Sequence, residues 1–321
     1  MSERILCLLP LTEAERAELL TVRPDAEFEF ARRSTVTPEQ LDRATIILGA
    51  PKPADLVHAT HLRWLQSQWA GVDEYLADGV LPEGVAVSGS TGAYDQTVSE
   101  HMLTCLLAML RKLPQYRDCQ RERQWKDLGE MRSIRDSRVL VVGAGNIGAA
   151  FARLCKALGA HTVGLKRTVG APIDGFDELD TMDHLDDRLP EADVVALVVP
   201  HAPETVGLMN ARRLKLMKPD AVLINAGRGS VIVDQDLCDV MTAGHLWGAA
   251  LDVFVPEPLP ADSPLWGVPN LLVTPHVAGG FRLASSRTKV VAICFENLRR
   301  AARGQAPTGL LRRGDLFRDF S

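Results

Sequence analysis

Residues 138–159, RVLVVGAGNIGAAFARLCKALG, contain the pattern that decides the fold. An apolar, β-branched run at 138–142 leads without a gap into Gly143, Gly145 and Gly148, and then into an alanine-rich amphipathic segment. Strand, glycine turn and helix in this order are typical of the phosphate-binding unit of a parallel α/β sheet. Gly143 permits the tight turn, Gly145 lets a ligand approach the backbone, and Gly148 lets helix and strand pack closely.

The same turn predicts a dinucleotide site. Free N–H groups and a partial positive charge at the start of a helix suit a pyrophosphate. We therefore assign cofactor binding to Gly143, Gly145, Asn146, Ile147 and Gly148. A purely structural turn is the alternative, because GxGxxG by itself is a weak signal, but the strand before it and the helix after it favour the dinucleotide.

Length and composition exclude several classes of protein. The chain has 321 residues, of which 46% are hydrophobic and 24% charged, so two domains with sizeable cores are expected. A net charge of −5 without a dense basic run argues against nucleic acid. Six scattered cysteines without a CxxC pair predict reduced thiols in the cytoplasm. The apolar run at 5–11 predicts a buried strand rather than a signal peptide, and no run is long enough to span a membrane.

His58 and His61 lack further ligands nearby in sequence, so no metal is predicted.

The first hundred residues alternate short apolar runs with helical patterns, which predicts a parallel sheet covered by helices. The predicted strands are 5–9, 27–30, 45–48, 64–67 and 85–87, and the predicted helices are 12–20 and 38–42. Loops with glycine follow two of these strands, at 68–73 and 88–92. Ligands bind at such strand ends in open α/β sheets, although glycines that merely turn the chain are an equal alternative here.

The rest of the chain predicts a second doubly wound unit. A helix at 97–113 is apolar on most of its surface, and the polar segment 114–137 is expected to wrap the surface. The further predicted strands are 138–142, 161–165, 194–199, 221–225, 247–251 and 270–274, and the further predicted helices are 149–158, 210–217, 234–243 and 285–304.

Cations follow the second strand of this unit. Rossmann domains that select NAD usually place an acidic residue there, on the ribose 2′-hydroxyl. This chain has Lys166, Arg167 and Thr168 instead, which suit a 2′-phosphate. The sequence therefore favours NADP(H), with NAD(H) possible and an exposed basic turn without a ligand as the alternative.

Unusual polar residues follow the later strands. Pro200 and His201, then Arg228, Asp252 and Glu257, and finally His276 all come after predicted strands or close to their ends. The carboxyl ends of parallel strands meet at one edge of a sheet, so these residues are expected to gather there. Arg, Asp, Glu and His at the edge of a dinucleotide-binding sheet form a set suited to hydride chemistry.

The combination of motifs resembles the D-isomer-specific 2-hydroxyacid dehydrogenase family, including its glyoxylate and hydroxypyruvate reductases. The motifs are VVGAGNIG, INAGRGSVIVDQDL, GAALDVFVPEPLP and PLWGVPNLLVTPHVAGG, with VSEHMLTCLLAMLRKL similar to the family's interdomain helix and WAGVDEY to its substrate-carboxylate loop. Three positions depart from the family. Ser88-Gly89 with Ser90 replaces Thr-Asn, Pro200-His201-Ala202 replaces Pro-Leu-Thr, and Lys166-Arg167 replaces an acidic residue. They affect cofactor choice and substrate identity, not the reaction class.

The resemblance implies a role for each candidate residue. Arg228 would bind the substrate carboxylate and polarise its carbonyl, because a guanidinium presents a planar fork of donors. His276 would move the proton, and Glu257 would fix its tautomer and favour the imidazolium. Asp252 would bind the nicotinamide carboxamide. The backbone N–H groups of Ala70 and Gly71 would complete the carboxylate site, and Pro200 and Ala226 would lie along the dinucleotide.

The resemblance also implies the domain arrangement. A Rossmann coenzyme domain, residues 98–288, is inserted into a flavodoxin-like substrate domain formed by residues 1–97 and 289–321, so the fold is α/β with two doubly wound parallel-sheet domains. A homodimer packed through the coenzyme domains is expected. The activity implied is hydride transfer between NAD(P)H and a small 2-oxo acid to give a D-2-hydroxy acid. Two alternatives remain, a non-catalytic, dinucleotide-sensing corepressor-like protein and a formate-dehydrogenase-like enzyme, although no extra polar residues for a one-carbon substrate are identifiable.

Overall fold

The chain divides into two compact α/β units. A computed structural model describes residues 3–281, 283–312 and 314–317. The first unit comprises Met1–Tyr94 and Gly280–Ser321, and the second comprises Asp95–Gly279. The chain passes between the units at Tyr94–Asp95 and Gly279–Gly280, whereas the sequence predicts boundaries after residues 97 and 288.

The first unit contains a six-stranded sheet within its described residues. Its strands are β1 (Arg4–Cys7), β2 (Glu27–Phe30), β3 (Ile46–Leu48), β4 (Trp64–Gln66), β5 (Ala86–Ser88) and, near the C-terminus, β13 (Leu310–Arg312). Their order is β13-β5-β4-β3-β1-β2, with β13 antiparallel to β5 and the other described pairs parallel. The order of β1 to β5 is that of a flavodoxin-like sheet, which confirms the predicted fold of this unit.

Helices α1 (Glu13–Val22), α2 (Pro38–Arg43), α3 (Asp73–Leu76) and α10 (Ala284–Ala302) accompany this sheet. Capping boxes begin α1, at Thr12 with Glu15, and α2, at Thr37 with Gln40, as local sequence dictates. The buried Asn297 of α10 donates a hydrogen bond of 2.7 Å to Oε1 of Gln66, at the end of β4. This bond ties the returning C-terminal helix to the sheet.

The second unit contains a seven-stranded parallel sheet within the described part of the chain. Its strands are β6 (Arg138–Val142), β7 (His161–Lys166), β8 (Glu178–Thr181), β9 (Val194–Leu197), β10 (Val222–Asn225), β11 (Gly248–Leu251) and β12 (Leu271–Val273). The order β12-β11-β10-β9-β6-β7-β8 is the Rossmann order with one more parallel strand. Connections leave in opposite directions from β6 and β9, so the topological switch point lies between these two strands.

Helices α4 (Asp95–Leu110), α5 (Leu113–Arg121), α6 (Asn146–Ala157), α7 (Leu185–Arg188), α8 (Ala211–Leu216) and α9 (Asp234–Thr242) belong to the second unit. The long apolar helix α4 packs against α6 and against β10 and β11, which explains why Met102, Leu106 and Met109 are buried. No helix in the described residues has both the length and the apolar composition needed to span a bilayer.

Five short elements differ from the sequence prediction, namely helices α3, α5 and α7 and strands β8 and β13. The segment predicted to wrap the surface as a polar chain begins with helix α5, which follows the left-handed residue Lys112 and has Pro114 in its first turn. None of its described residues is buried, so it shows no apolar face from which a helix could be predicted. Strands β8 and β13 were also not predicted, because each is short and half-buried or exposed and lacks an apolar run.

Candidate active site

The glycine turn between β6 and α6 allows close packing of strand and helix. Gly143 has a φ of +112°, which favours glycine, and a Cβ there would lie 2.7 Å from the carbonyl oxygen of Val198. A Cβ at Gly148 would overlap the carbonyl of Gly143. A larger residue at Gly148 would push α6 away from β6, and one at Gly143 would collide with the chain that follows β9.

The outer side of the turn is open. Nothing lies within 4 Å of the Cβ position of Gly145, which is exposed and caps α6. Asn146 and Ile147 are the first residues of α6, so their N–H groups belong to the unpaired first turn of a helix. The turn thus presents donors beside open space, which is the shape a pyrophosphate requires.

Lys166, Arg167 and Thr168 lie at the carboxyl end of β7, next to the strand that carries the glycine turn. Arg167 and Thr168 are exposed and Lys166 is half-buried. Among the residues that the structure describes, none of these three side chains forms an ion pair or a hydrogen bond. Two cations and a hydroxyl therefore remain available at this edge of the sheet.

Pro200 and Ala226 follow β9 and β10 at the same edge. The Thr205 hydroxyl donates to the carbonyl of Pro200 at 2.7 Å, and the N–H of Ala226 donates to the carbonyl of Leu197 at 3.2 Å. His201, beside Pro200, contacts the Ser230 hydroxyl through Nδ1 at 2.8 Å. Pro200 thus follows a strand that borders the switch point, and Ala226 follows the neighbouring strand at the same edge.

His276 and Glu257 form a hydrogen-bonded pair. Nδ1 of His276 lies 2.7 Å from Oε2 of Glu257, whose other oxygen accepts the Phe254 N–H at 2.9 Å. An ionised carboxylate can only accept, so Nδ1 carries the proton and donates it to the carboxylate. Nε2 of His276 has no hydrogen-bond partner among the described residues. The side chains are 53% and 34% exposed, so the ring is accessible to a ligand.

The pair shifts the pKa of both groups. The hydrogen bond to Glu257 raises the pKa of His276 above its ordinary value, against the opposing effect of burial. Burial pushes the pKa of Glu257 upward, but hydrogen bonds from His276 and the Phe254 N–H outweigh it and hold that pKa below its ordinary value. Imidazolium and carboxylate therefore stabilise each other.

Arg228 lies in the loop after β10. Oδ1 of Asn225 accepts the Gly227 N–H at 3.1 Å, and its Nδ2 donates to the carbonyl of Arg228 at 2.9 Å. A Cβ at Gly229 would overlap the backbone of Phe254, so this loop packs directly on the segment that leads to Glu257. The positive charge of Arg228 acts on the pKa of both His276 and Glu257, lowering each as a smaller contribution. The structure thus brings Arg228, Glu257 and His276 into one cluster.

Asp252 is buried behind His276. Its Oδ1 accepts the Thr274 hydroxyl at 2.6 Å and the Val277 N–H at 2.9 Å, and its Oδ2 accepts the Ala278 N–H at 2.9 Å. The sequence marks Asp252 as a site residue but does not reveal this second role, which is to hold the turn that presents His276. The residue in the sequence that could have indicated this role is Thr274, which lies two residues before His276 in the motif PLWGVPNLLVTPHVAGG.

Ala70 and Gly71 lie in the first unit, in the loop between β4 and α3. The N–H of Ser90 donates to the carbonyl of Trp69 at 2.9 Å, and a Cβ at Gly89 would lie 2.8 Å from the Ala70 carbonyl. Within the described chain, the N–H groups of Ala70 and Gly71 donate to no acceptor. The loop is therefore held from its carbonyl side and presents two unused donors.

No cluster of three or more His, Cys, Asp or Glu residues suited to a metal ion occurs in the described part of the chain. His58 ends a short 3-10 helix, and His61 lies beyond it, where Nδ1 contacts the Asp42 carbonyl at 2.9 Å.

These features define a class, the dinucleotide-dependent oxidoreductases with a Rossmann domain. A family model for the "D-isomer specific 2-hydroxyacid dehydrogenase, NAD binding domain" matches residues 103–278, more than half of the chain. The chain belongs to the D-isomer specific 2-hydroxyacid dehydrogenase family, whose members are NAD(P)-dependent oxidoreductases. The resemblance stated from the sequence is confirmed, and the comparisons give no support to the corepressor-like alternative.

Individual relatives agree with this assignment. D-3-phosphoglycerate dehydrogenase of Mycobacterium tuberculosis is 30% identical over 292 residues, 91% of this chain and 52% of that protein. The chain therefore spans about half the length of this relative. A D-isomer specific 2-hydroxyacid dehydrogenase family protein from Aeromonas salmonicida has a TM-score of 0.84 and 32% identity, with 97% of this chain and 99% of that chain covered. An NADPH-dependent glyoxylate/hydroxypyruvate reductase from Sinorhizobium meliloti, in complex with NADP and sulfate, has a TM-score of 0.80 and 26% identity, with 98% and 100% covered.

Proposed function

We propose that this chain reduces a small 2-oxo acid to a D-2-hydroxy acid and uses NADP(H) in preference to NAD(H). The observation that carries the proposal is the contact of 2.7 Å between His276 Nδ1 and Glu257 Oε2, beside the charge of Arg228. Reduction of a carbonyl needs a proton donor in a fixed position, and His276, held by Glu257, is such a donor. A bound nicotinamide supplies the hydride in this direction and accepts it in the reverse direction.

The residues around the glycine turn fit a dinucleotide. The open space over Gly145 would take the pyrophosphate, with the N–H groups of Asn146 and Ile147 as donors. Pro200 and Ala226 would lie along the cofactor, since they follow β9, which borders the switch point, and its neighbour β10. Asp252 would bind the carboxamide through Oδ2, because a carboxylate oxygen accepts more than one hydrogen bond.

The preference for NADP(H) rests on Lys166, Arg167 and Thr168. Their side chains have no partner among the described residues, so a 2′-phosphate would meet two cations that make no competing ion pair. Charge-assisted hydrogen bonds to phosphate are about twice as strong as neutral ones. The NADPH-dependent reductase from Sinorhizobium meliloti supports the same preference by similarity.

The site supplies the rest of the chemistry from its own side chains. Arg228 binds the substrate carboxylate and polarises the carbonyl oxygen with its planar fork of donors. His276 gives its Nε2 proton to that oxygen in reduction and removes it in oxidation. Glu257 keeps the ring oriented through Nδ1 and stabilises the imidazolium, so the proton donor is charged when reduction begins.

The first unit would contribute substrate binding. The two unused N–H groups of Ala70 and Gly71 suit a carboxylate, and they lie at the carboxyl end of a strand, where ligands bind in open α/β sheets. We accordingly assign substrate binding to residues 1–97 and 289–321 and cofactor binding to residues 98–288.

We also propose a cytoplasmic homodimer. All six cysteines are free thiols, which fits a reducing compartment. Leu113, Trp125 and Met131 of the second unit expose apolar side chains, and such surfaces favour association. Light scattering on a gel-filtration peak should give twice the chain mass, and the mass of one chain would contradict the dimer.

The activity is tested by incubating the protein with a panel of 2-oxo acids and either NADPH or NADH, and following the nicotinamide absorbance. The panel should include glyoxylate, hydroxypyruvate, pyruvate and 2-oxo acids with longer apolar chains. We expect turnover of at least one acid, faster with NADPH, and a D-2-hydroxy acid on chiral chromatography. Absence of turnover with every acid and both cofactors would contradict the proposal.

A further inference from the structure

A polar chain runs behind the His276 turn and ends on a histidine of helix α4. His101 Nε2 lies 3.1 Å from the Thr274 hydroxyl oxygen, which lies 2.6 Å from Oδ1 of Asp252. Nε2 is also 3.8 Å from the same carboxylate oxygen. His101 is mostly buried, with 22% of its side chain exposed, and no step of the proposed chemistry uses it.

The direction of the hydrogen bonds follows from the donors available. Thr274 has one hydroxyl proton, and the carboxylate of Asp252 is its acceptor. The Thr274 oxygen must therefore accept from His101, so Nε2 of His101 carries a proton. Cys105, one turn further along α4, contacts the same nitrogen through Sγ at 3.5 Å.

Asp252 connects this chain to His276. Its side chain accepts the N–H groups of Val277 and Ala278, and its carbonyl accepts the N–H of His276 at 2.9 Å. His276 has a φ of +50°, in the left-handed region that non-glycine residues seldom adopt. Such a conformation persists where surrounding bonds fix it, and these bonds flank it on both sides.

We propose that His101 is a positioning residue for His276 and acts through Thr274 and Asp252. By donating to Thr274 it directs the hydroxyl proton onto Asp252, which keeps the carboxylate aimed at the turn. This inference rests on the proposed function, because it gives His276 the role of proton donor. Without His101, the Thr274 hydroxyl loses its donor and is free to turn away from Asp252, so the carboxylate that holds the turn loses one of the bonds that orient it.

The first test compares His101→Leu with the matched control His245→Leu. His245 is another partly buried histidine of the second unit, and its Nε2 contacts the Met217 carbonyl at 3.0 Å, away from the site. We expect His101→Leu to lower kcat for the 2-oxo acid by roughly 10- to 100-fold, the scale of a misplaced catalytic group. The KM for that acid should stay close to wild type, because Arg228 binds it.

Rescue and coupling separate positioning from simple packing. His101→Gln keeps an N–H donor that can reach Thr274, and it should recover most of the lost kcat. Thr274→Val removes the hydroxyl between His101 and Asp252, so the double variant His101→Leu with Thr274→Val should be no slower than the slower single variant. Three results would overturn the inference. They are a double variant in which the two losses of kcat multiply, a His101→Gln variant that recovers no kcat, and a loss of kcat in His245→Leu equal to that in His101→Leu.

A measurement without turnover keeps the inference separate from the proposed function. Nitrogen NMR of the histidine rings at one pH should show a proton on His101 Nε2. The ring shifts of His276 should change in His101→Leu and stay near wild type in His101→Gln and His245→Leu. Unchanged His276 shifts in His101→Leu would contradict the inference even if the protein is an active reductase. A wild-type protein that reduces no 2-oxo acid would contradict the proposed function, while the NMR result would still decide whether His101 positions His276.

Discussion

Two parts of the same sheet edge in the second unit are built in opposite ways. At the ends of β10 to β12, polar side chains are bonded to the chain itself, as in Glu257 with His276 and Asp252 with Thr274. Near the end of β7 and the glycine turn, Arg167 and Gly145 are exposed and Lys166 is half-buried, and neither cation has a partner among the described residues.

Under the proposed function, the difference separates groups that move protons from groups that bind a ligand. A proton donor works only when its tautomer and direction are fixed before the substrate arrives, so its partners belong to the protein. A phosphate brings its own charge, so donors that bind it need no protein partner. Substitutions in the bonded part should therefore damage the chemical step, and substitutions in the open part should damage cofactor affinity.

The largest effect should come from His276→Ala. Loss of the general acid should lower kcat by roughly 100- to 10,000-fold, because proton transfer contributes on that scale. The KM for NADPH should hardly change, since the cofactor groups are untouched. Steady-state rates with varied 2-oxo acid and varied NADPH measure both, and His245→Ala is the control. A wild-type kcat in His276→Ala would show that another residue donates the proton, with His201 as the next candidate.

Arg228→Lys should have the next largest effect. Lysine keeps the charge but loses the fork of donors, and charge-assisted hydrogen bonds contribute about 1.5–3 kcal/mol each. We expect kcat/KM for the 2-oxo acid to fall roughly 10- to 100-fold, through both KM and kcat, with NADPH affinity little altered. Arg212→Lys, at an exposed arginine that pairs with Asp186, serves as the control. If kcat/KM were unchanged in Arg228→Lys, we would conclude that Arg228 is structural and does not bind the substrate.

Arg167→Ala probes the open part and should leave kcat nearly intact. Loss of one charge-assisted bond to the 2′-phosphate should raise the KM for NADPH by about 10-fold or more and leave the KM for NADH near wild type. Arg153→Ala removes an exposed cation of α6 that pairs with Asp174 and should affect neither cofactor. Equal changes in both KM values, or a wild-type preference for NADH, would refute the predicted 2′-phosphate site.

Much of the fold could be predicted from the sequence because its decisive signals are local. The glycine turn and the buried runs that form β6, β9 and β10 predict a parallel sheet without knowledge of their neighbours. Helix α5 and strands β8 and β13 could not be predicted, since none of their residues is fully buried and their stability depends on what they pack against.

The candidate site divides in the same way. Arg228, Glu257 and His276 could be proposed because strand ends meet at one edge of a sheet. The second role of Asp252 and the contact of His101 with Thr274 could not. The first depends on the left-handed turn at His276, and both join residues more than twenty positions apart. Periodicity does not encode such contacts.

The central claim is that His276, held and charged by Glu257, donates the proton in reduction. The pH dependence of kcat/KM for the 2-oxo acid tests this directly, in wild type, in Glu257→Gln and in the control Glu191→Gln. Because Glu257 raises the pKa of His276, wild-type reduction should be constant at low pH and fall as pH rises through that raised pKa. The glutamine of Glu257→Gln still accepts a hydrogen bond from Nδ1 but lacks the negative charge. The fall of kcat/KM should therefore occur at lower pH in this variant, whereas the profile of Glu191→Gln should match that of wild type. Oxidation should show the opposite limb, rising with pH. A Glu257→Gln profile that superimposes on wild type would contradict the account.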